Sequence, residues 1–244
     1  DIPVLFVDRK TGFPSDFIGF DYEKADEYVK RLKEKADDNL ITKQYVLKAE
    51  ALLDYYCKRC SGEETIERLE ASIRLTLPEY EKCLEKNFPF TEQEIMNLMS
   101  LAGAYFHTDK EEKAIKIYRK LLECLDMDYI FGENVEHIKG IVMRNLSAAY
   151  FSIGKREEAL ELNGICLKRA KKKNNGRDFH VLLGDRAAII LELVKTGKKD
   201  KAEMYEIKKY LRQSYILAAA RGDHICAQVI ENAYKKEFGE TIVI

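Results

Sequence analysis

The sequence predicts an all-α protein, built as a solenoid of about ten antiparallel helices. Three observations favour this class. The four prolines all lie at or before Pro89, so no later residue forbids a long helix. From about Tyr22 onward, the segments between turn signals read as helices, with no segment typical of a strand. A residue pattern also recurs along the chain, as in proteins made of stacked helix pairs.

The composition is that of a globular protein with a sizeable core. The chain has 244 residues, of which 46% are hydrophobic and 34% charged. Its 41 Lys and Arg against 42 Asp and Glu exclude a dedicated nucleic-acid clamp, which needs a basic surplus. Neither a long apolar run nor a signal peptide in Asp1–Val7 is present, and the six cysteines are scattered. We therefore expect reduced thiols, a cytoplasmic location and no membrane contact.

Turn and cap signals divide the chain into helices. Thr91 and Glu94 form the spacing of a capping box, while Gly154 and Gly197 stand where helices end. We expect a linker or non-repeat segment over 1–21, a repeat domain over 22–239 and a tail over 240–244. The predicted helices are Tyr22–Ala36, Thr42–Cys60, Glu63–Leu75, Thr91–His107, Lys110–Leu125, Glu133–Ile153, Arg156–Lys172, Arg177–Thr196, Lys199–Arg221 and Asp223–Phe238.

An internal repeat accounts for the pairing of these helices. Ala104 and Ala149 are each followed by Tyr-Phe, and each has a second alanine ten residues later. Two antiparallel helices that pack closely need such a small residue where they cross, and each pair leaves an apolar face for the next pair to cover. Weaker copies extend the pattern in both directions. The predicted crossing residues are Thr65, Ala114, Ala159 and Ala202.

These residues resemble tetratricopeptide repeats. The family's Leu, small, Tyr, Gly and Ala positions are occupied by Leu146, Ser147, Tyr150, Gly154 and Ala159. The resemblance implies a right-handed superhelix. The family's usual period is about 34 residues, so the longer intervals here require longer helices. HEAT-type repeats, whose periods are about 40–47 residues, are the alternative fold.

The order of several motifs carries a second resemblance. Glu64–Leu69, Leu75–Pro78, Phe90–Ile95, Gly154–Glu161 and Tyr234–Phe238 follow one another as in the C-terminal sensor domain of Firmicute helix-turn-helix regulators of the xenobiotic-response-element type. Peptide-sensing quorum regulators belong to this group. The resemblance covers about residues 22–239. It implies a ligand-sensing domain that forms a homodimer. It also implies DNA contact only through an N-terminal helix-turn-helix, which this chain lacks.

The resemblance further implies a concave groove lined by the first helix of each pair. Asn145 could pair with both polar groups of an extended peptide backbone, and Arg144 could grip a carboxylate. Gly103 and Ala148 would leave room for the ligand. The candidate groove residues are Met99, Gly103, Phe106, Arg144, Asn145, Ala148, Phe151, Ala187 and Leu191.

No catalytic motif is found. The sequence has no phosphate-binding loop, no G-x-S-x-G, no H-E-x-x-H and no calcium loop. The four histidines are never four residues apart, as helical metal ligands are. We expect a non-enzymatic protein with no cofactor and no metal.

Two remaining motifs favour structural roles. Cys57 and Cys60 form a C-x-x-C at a helix C-terminus, where the dipole does not activate a thiol. The basic run from Lys168 to Arg177 is typical of a solvated helix end.

The favoured function is therefore a ligand-sensing and dimerisation domain of a transcriptional regulator, binding a peptide or protein in its groove. The alternative is a free-standing scaffold or adaptor with no DNA role. A third interpretation, regulation of a phosphorelay enzyme, would need an inward acid, and Glu50 and Asp54 are the candidates.

Overall fold

The helices follow one another with short connections. The computed structural model of the chain describes residues 22–35, 39–86, 88–127, 135–172 and 179–242. These residues form eleven α-helices, one 3₁₀ turn (Lys201–Glu203) and no strand, which confirms the predicted all-α class. The helices are α1 (Tyr22–Lys35), α2 (Leu40–Tyr56), α3 (Gly62–Arg74), α4 (Tyr80–Cys83), α5 (Glu92–His107), α6 (Glu111–Leu125), α7 (Val135–Ser152), α8 (Arg156–Lys172), α9 (Phe179–Lys195), α10 (Met204–Ala220) and α11 (His224–Phe238). The predicted segment 1–21 and residues 243–244 of the predicted tail lie outside the described residues.

Local sequence signals set the helix ends. Thr91 accepts from the Glu94 amide at 3.3 Å, and the Glu94 carboxylate accepts from the Thr91 amide at 2.8 Å, so the predicted capping box is confirmed. Gly154 and Gly197 have φ of 82° and 73°, a conformation that glycine adopts without strain. Asp223 begins α11 by accepting from the Cys226 amide at 3.0 Å.

The chain divides into two compact units, the first ending at Val142 and the second beginning at Met143. In the first unit, α2 pairs with α3, α3 packs against α5, and α5 pairs with α6. A reciprocal bond joins α2 to α3: the Gln44 amide donates to the Ser72 carbonyl at 3.0 Å, and the Ser72 hydroxyl donates to the Gln44 carbonyl at 2.9 Å. The Tyr105 hydroxyl of α5 donates to the Glu70 carboxylate of α3.

In the second unit, α9 packs against α8 and α10, and α10 packs against α11. Buried polar side chains bond to backbone carbonyls of the neighbouring helix, which satisfies groups that would otherwise destabilise the core. These interhelical bonds join Ser147 Oγ to the Ala159 carbonyl (2.8 Å), Asn163 Nδ2 to the Leu182 carbonyl (3.0 Å) and Ser214 Oγ to the His180 carbonyl (2.5 Å). Ile207 and Tyr234 lie fully buried in the core that unites α9, α10 and α11.

Three of the four predicted crossing residues are buried, as a close helix crossing requires. Ala114 and Ala159 are fully buried, and Thr65 is 1% exposed. Ala202 is exposed, so its assignment was wrong. The Asp200 side chain accepts from the Ala202 amide at 2.9 Å and places Ala202 in the 3₁₀ turn. For this reason α10 begins at Met204 rather than at Lys199.

Candidate functional site

The nine predicted groove residues lie on three helices. Met99, Gly103 and Phe106 are on α5 in the first unit, while the α7 and α9 residues belong to the second unit. All three α5 residues are buried: Met99 is completely buried, and Phe106 is 4% exposed. They therefore present little surface to a ligand. That these residues contact a ligand stays a prediction.

The α7 residues share one side of their helix. Arg144, Ala148 and Phe151 are spaced by four and three residues and are half-buried. Together with the neighbouring Asn145, we call them the α7 face. The Phe151 side chain packs against the cluster that contains Ala159, Ile189 and Leu193. This contact fixes one end of the α7 face on α9.

The α9 residues of the predicted groove lie in a different cluster. Ala187 is 1% exposed and belongs to the core formed with α10 and α11, against which Leu191 also packs. Phe151 instead packs on the cluster of Ile189 and Leu193. The structure therefore distributes the predicted second-unit residues over two clusters, and the α7 face is the partly exposed set on a single helix.

Asn145 is the most informative residue of this face. Its side chain is 3% exposed, and Nδ2 has no hydrogen-bond partner among the described residues. The corresponding Nδ2 of Asn163 donates to the Leu182 carbonyl. A buried donor without a partner costs about 1–3 kcal/mol, so any acceptor that paired with this amide would stabilise the protein.

Positive charge lies at the Arg144 end of the face. Burial raises the pKa of the Cys166 thiol to about 12, while the Arg144 guanidinium acts in the opposite direction and the Asp185 carboxylate raises it further. Arg144 is therefore close to α8 and electrostatically engaged. A guanidinium can bond to both oxygens of a carboxylate at once.

A second surface in the second unit was not predicted. A groove of about 500 Å³ lies among α8, α9 and α10, and we call it the α8–α10 groove. Its lining includes Leu167, Lys171, Leu183, Tyr210, Ile216 and Leu217. Ile216 and Leu217 are 42% and 36% exposed. The adjacent apolar pair near the end of α10 was the signal that could have indicated this surface.

The basic run lies beside this groove. Lys171 Nζ is 5.9 Å from the Phe179 ring centroid, and Lys168 and Lys172 are exposed. Lys173 and Arg177, which complete the predicted run, lie outside the described residues.

Comparisons with known proteins give the fold but no family. No protein-family profile matches the chain, and no curated protein matches it. Bacillus thuringiensis PlcR in complex with the peptide PapR7 and DNA has a similar structure, with a TM-score of 0.68 and 16% identity over 86% of this chain and 68% of that chain. Apo PlcR from the same organism gives 0.65 and 15% over 86% and 71%. A Podospora anserina kinesin light chain with nearly identical tetratricopeptide-like repeats gives 0.55 and 15% over 83% and 87%. The chain has the tetratricopeptide-like fold found in these proteins.

The C-x-x-C motif and the two candidate acids take part in local contacts of the fold. Cys57 caps the end of α2, and burial raises the pKa of its thiol, which leaves the nucleophilic thiolate disfavoured. Glu50 lies 2.5 Å from Lys33 and Asp54 lies 2.7 Å from Arg68, so both acids of the phosphorelay interpretation are ion-paired.

Within the described residues, no helix combines the length and the apolar character that crossing a membrane requires.

Proposed function

We propose that the chain is a peptide-sensing domain of a transcriptional regulator and that its ligand binds at the α7 face. The observation that carries this proposal is the fold likeness to PlcR, which extends over 86% of the chain and includes a structure holding a peptide and DNA. A binding role also agrees with the lack of a catalytic motif in the sequence. Any contact with DNA would belong to a longer parent protein.

The α7 face offers groups suited to a short peptide. Asn145 Nδ2 would donate to a peptide carbonyl, and Arg144 would hold a carboxylate. Ala148 leaves room beside them, and Phe151 supplies apolar contact. Because Asn145 is only 3% exposed, a ligand that pairs with it must first displace the groups that cover it. Binding would then favour one conformation of the unit over another, as a sensor requires.

Selection from a library of short random peptides tests this proposal. Peptides enriched on the chain are titrated against Ala148→Trp, which fills the α7 face, and against Ile165→Trp, a matched change on α8 at a position 41% exposed. We expect about a tenfold or greater loss of affinity for the first variant and none for the second. No enrichment, or equal binding by both variants, would contradict the proposal.

The α8–α10 groove favours a second role in protein association. Exposed apolar side chains beside a groove are typical of interaction surfaces, and here we propose a homodimer contact. Ile216→Glu should then reduce the mass measured by light scattering from dimer to monomer. Tyr205→Glu, at a position 74% exposed on the same helix, should not. A monomeric wild-type chain would contradict the homodimer contact and would favour the alternative, in which the groove binds another protein.

A further inference from the structure

We propose that His180, Asp223 and Cys226 form a zinc-binding site that joins α9 to the last helix, α11. Their ligand atoms, one imidazole nitrogen, one carboxylate oxygen and one thiol sulfur, all lie within 4.8 Å of one another. Asp223 and Cys226 are neighbours at the start of α11, and the fold brings to them His180, which lies 43 residues away from Asp223 in the sequence. This inference is independent of peptide binding.

Hydrogen bonds hold His180 and Asp223 in place. His180 is 5% exposed, and its Nε2 lies 3.0 Å from Asp223 Oδ2. Ser214 fixes the backbone of His180 from α10 through its hydroxyl. Asp223 uses Oδ1 to cap α11, which leaves Oδ2 directed at the histidine.

The thiol and the remaining charges suit a cation. Cys226 is half-buried and forms no disulfide with the described residues. Asp185 lies close enough to Cys226 to act on it electrostatically, which adds a second negative charge near the site. The Asp223 side chain is 37% exposed, so an ion and a fourth, water ligand have access.

This donor set selects the metal. Imidazole, thiolate and carboxylate together are ligands typical of Zn²⁺, which binds nitrogen and oxygen at about 2.0–2.2 Å and sulfur at about 2.3 Å. Around one tetrahedral ion such ligands are roughly 3.2–3.8 Å apart, so binding requires shifts of about 1 Å or less. Formation of the zinc–sulfur bond releases the thiol proton to the solvent.

Cobalt titration of the whole chain tests the site, because Co²⁺ substitutes for Zn²⁺ and reports its ligands by absorption. We expect one Co²⁺ per chain, a sulfur-to-cobalt charge-transfer band, and loss of that band when Zn²⁺ is added. Cys226→Ser should abolish the band. Asp223→Ser keeps a good helix N-cap but removes the carboxylate, and should weaken binding by about tenfold or more.

Matched controls separate this site from the other thiols. Cys166→Ser in the same unit and the double change Cys57→Ser, Cys60→Ser in the first unit should both leave the band and the affinity unchanged. Circular dichroism verifies that each variant is folded. Zn²⁺ should raise the melting temperature of wild type but not of Asp223→Ser. A band that survives in Cys226→Ser, or the absence of any band in wild type, would overturn the proposal.

Discussion

Two buried asparagines differ in how their amides are satisfied. Asn163 donates from α8 to the Leu182 carbonyl of α9 and so contributes to the contact between these helices. Asn145 is equally buried, yet its Nδ2 has no partner among the described residues. Both residues are asparagines within predicted helices, so the sequence alone does not distinguish them. Only the structure distinguishes the asparagine whose amide joins two helices from the one whose Nδ2 has no partner among the described residues.

This contrast predicts opposite effects on stability. Asn145→Leu removes an unsatisfied donor, so we expect the free energy of unfolding to stay unchanged or to rise by about 1 kcal/mol. Asn163→Leu removes the hydrogen bond to the Leu182 carbonyl and should lower the free energy of unfolding by about 0.5–1.5 kcal/mol. Urea unfolding measures both. Equal destabilisation by the two changes would show that Asn145 is a structural residue.

At the scale of helices, buried polar side chains that bond to the backbone of an adjacent helix occur in both units. They occur at Ser72, Ser147, Asn163 and Ser214. The repeat in the sequence predicted the small crossing residues Ala114 and Ala159, because a small volume at a fixed spacing is visible in one dimension. The acceptors of these hydrogen bonds are carbonyls on another helix, and their identity depends on the packing. Sequence reasoning therefore missed the bonds.

The repeat makes a direct prediction about the helix crossings. Ala159→Leu adds volume at a fully buried position and should lower the free energy of unfolding by about 1–3 kcal/mol. Ala202→Leu makes the same chemical change in the exposed 3₁₀ turn and should alter it by no more than about 0.5 kcal/mol. Thermal or urea unfolding distinguishes them. Similar losses for both would return Ala202 to its predicted place at a helix crossing.

The contact between α3 and α5 predicts a dependence on pH. Burial alone would raise the pKa of Glu70, but hydrogen bonds from Tyr105 and Arg74 outweigh it and hold the pKa below its ordinary value of 4.5. The ionised carboxylate therefore stabilises the fold above pH 4.5, and this contribution is lost as the pH falls through the lower folded-state pKa. Tyr105→Phe should lower the free energy of unfolding by about 1.5–3 kcal/mol at neutral pH and by less in acid.

Glu81 provides the control for this effect. It also pairs with Arg74, at 2.6 Å, but its side chain is 53% exposed. Glu81→Gln should therefore change the stability little at any pH. A Tyr105→Phe loss that stays constant between neutral and acidic pH would contradict the role given to Glu70.

At the scale of the whole molecule, sequence periodicity was sufficient for the class and for most helices. The short helix α4 was missed because four residues contain too little periodicity to recognise. The start of α10 was wrong because Asp200 can cap either a helix or a 3₁₀ turn. The register carried over from a resemblance does not reveal which side chains the packing covers. Met99 and Ala187 show this at α5 and α9, because both are buried.

The position of a bound peptide tests the central proposal most directly. A selected peptide is incubated with two variants that carry a photo-crosslinking amino acid, one at residue 148 on the α7 face and one at the exposed residue 165 on α8. Cross-linked products are identified by mass spectrometry. We expect attachment of the peptide at residue 148 and none at residue 165. Attachment at 165 alone, or at neither residue despite measurable binding, would contradict the assignment of the ligand to the α7 face.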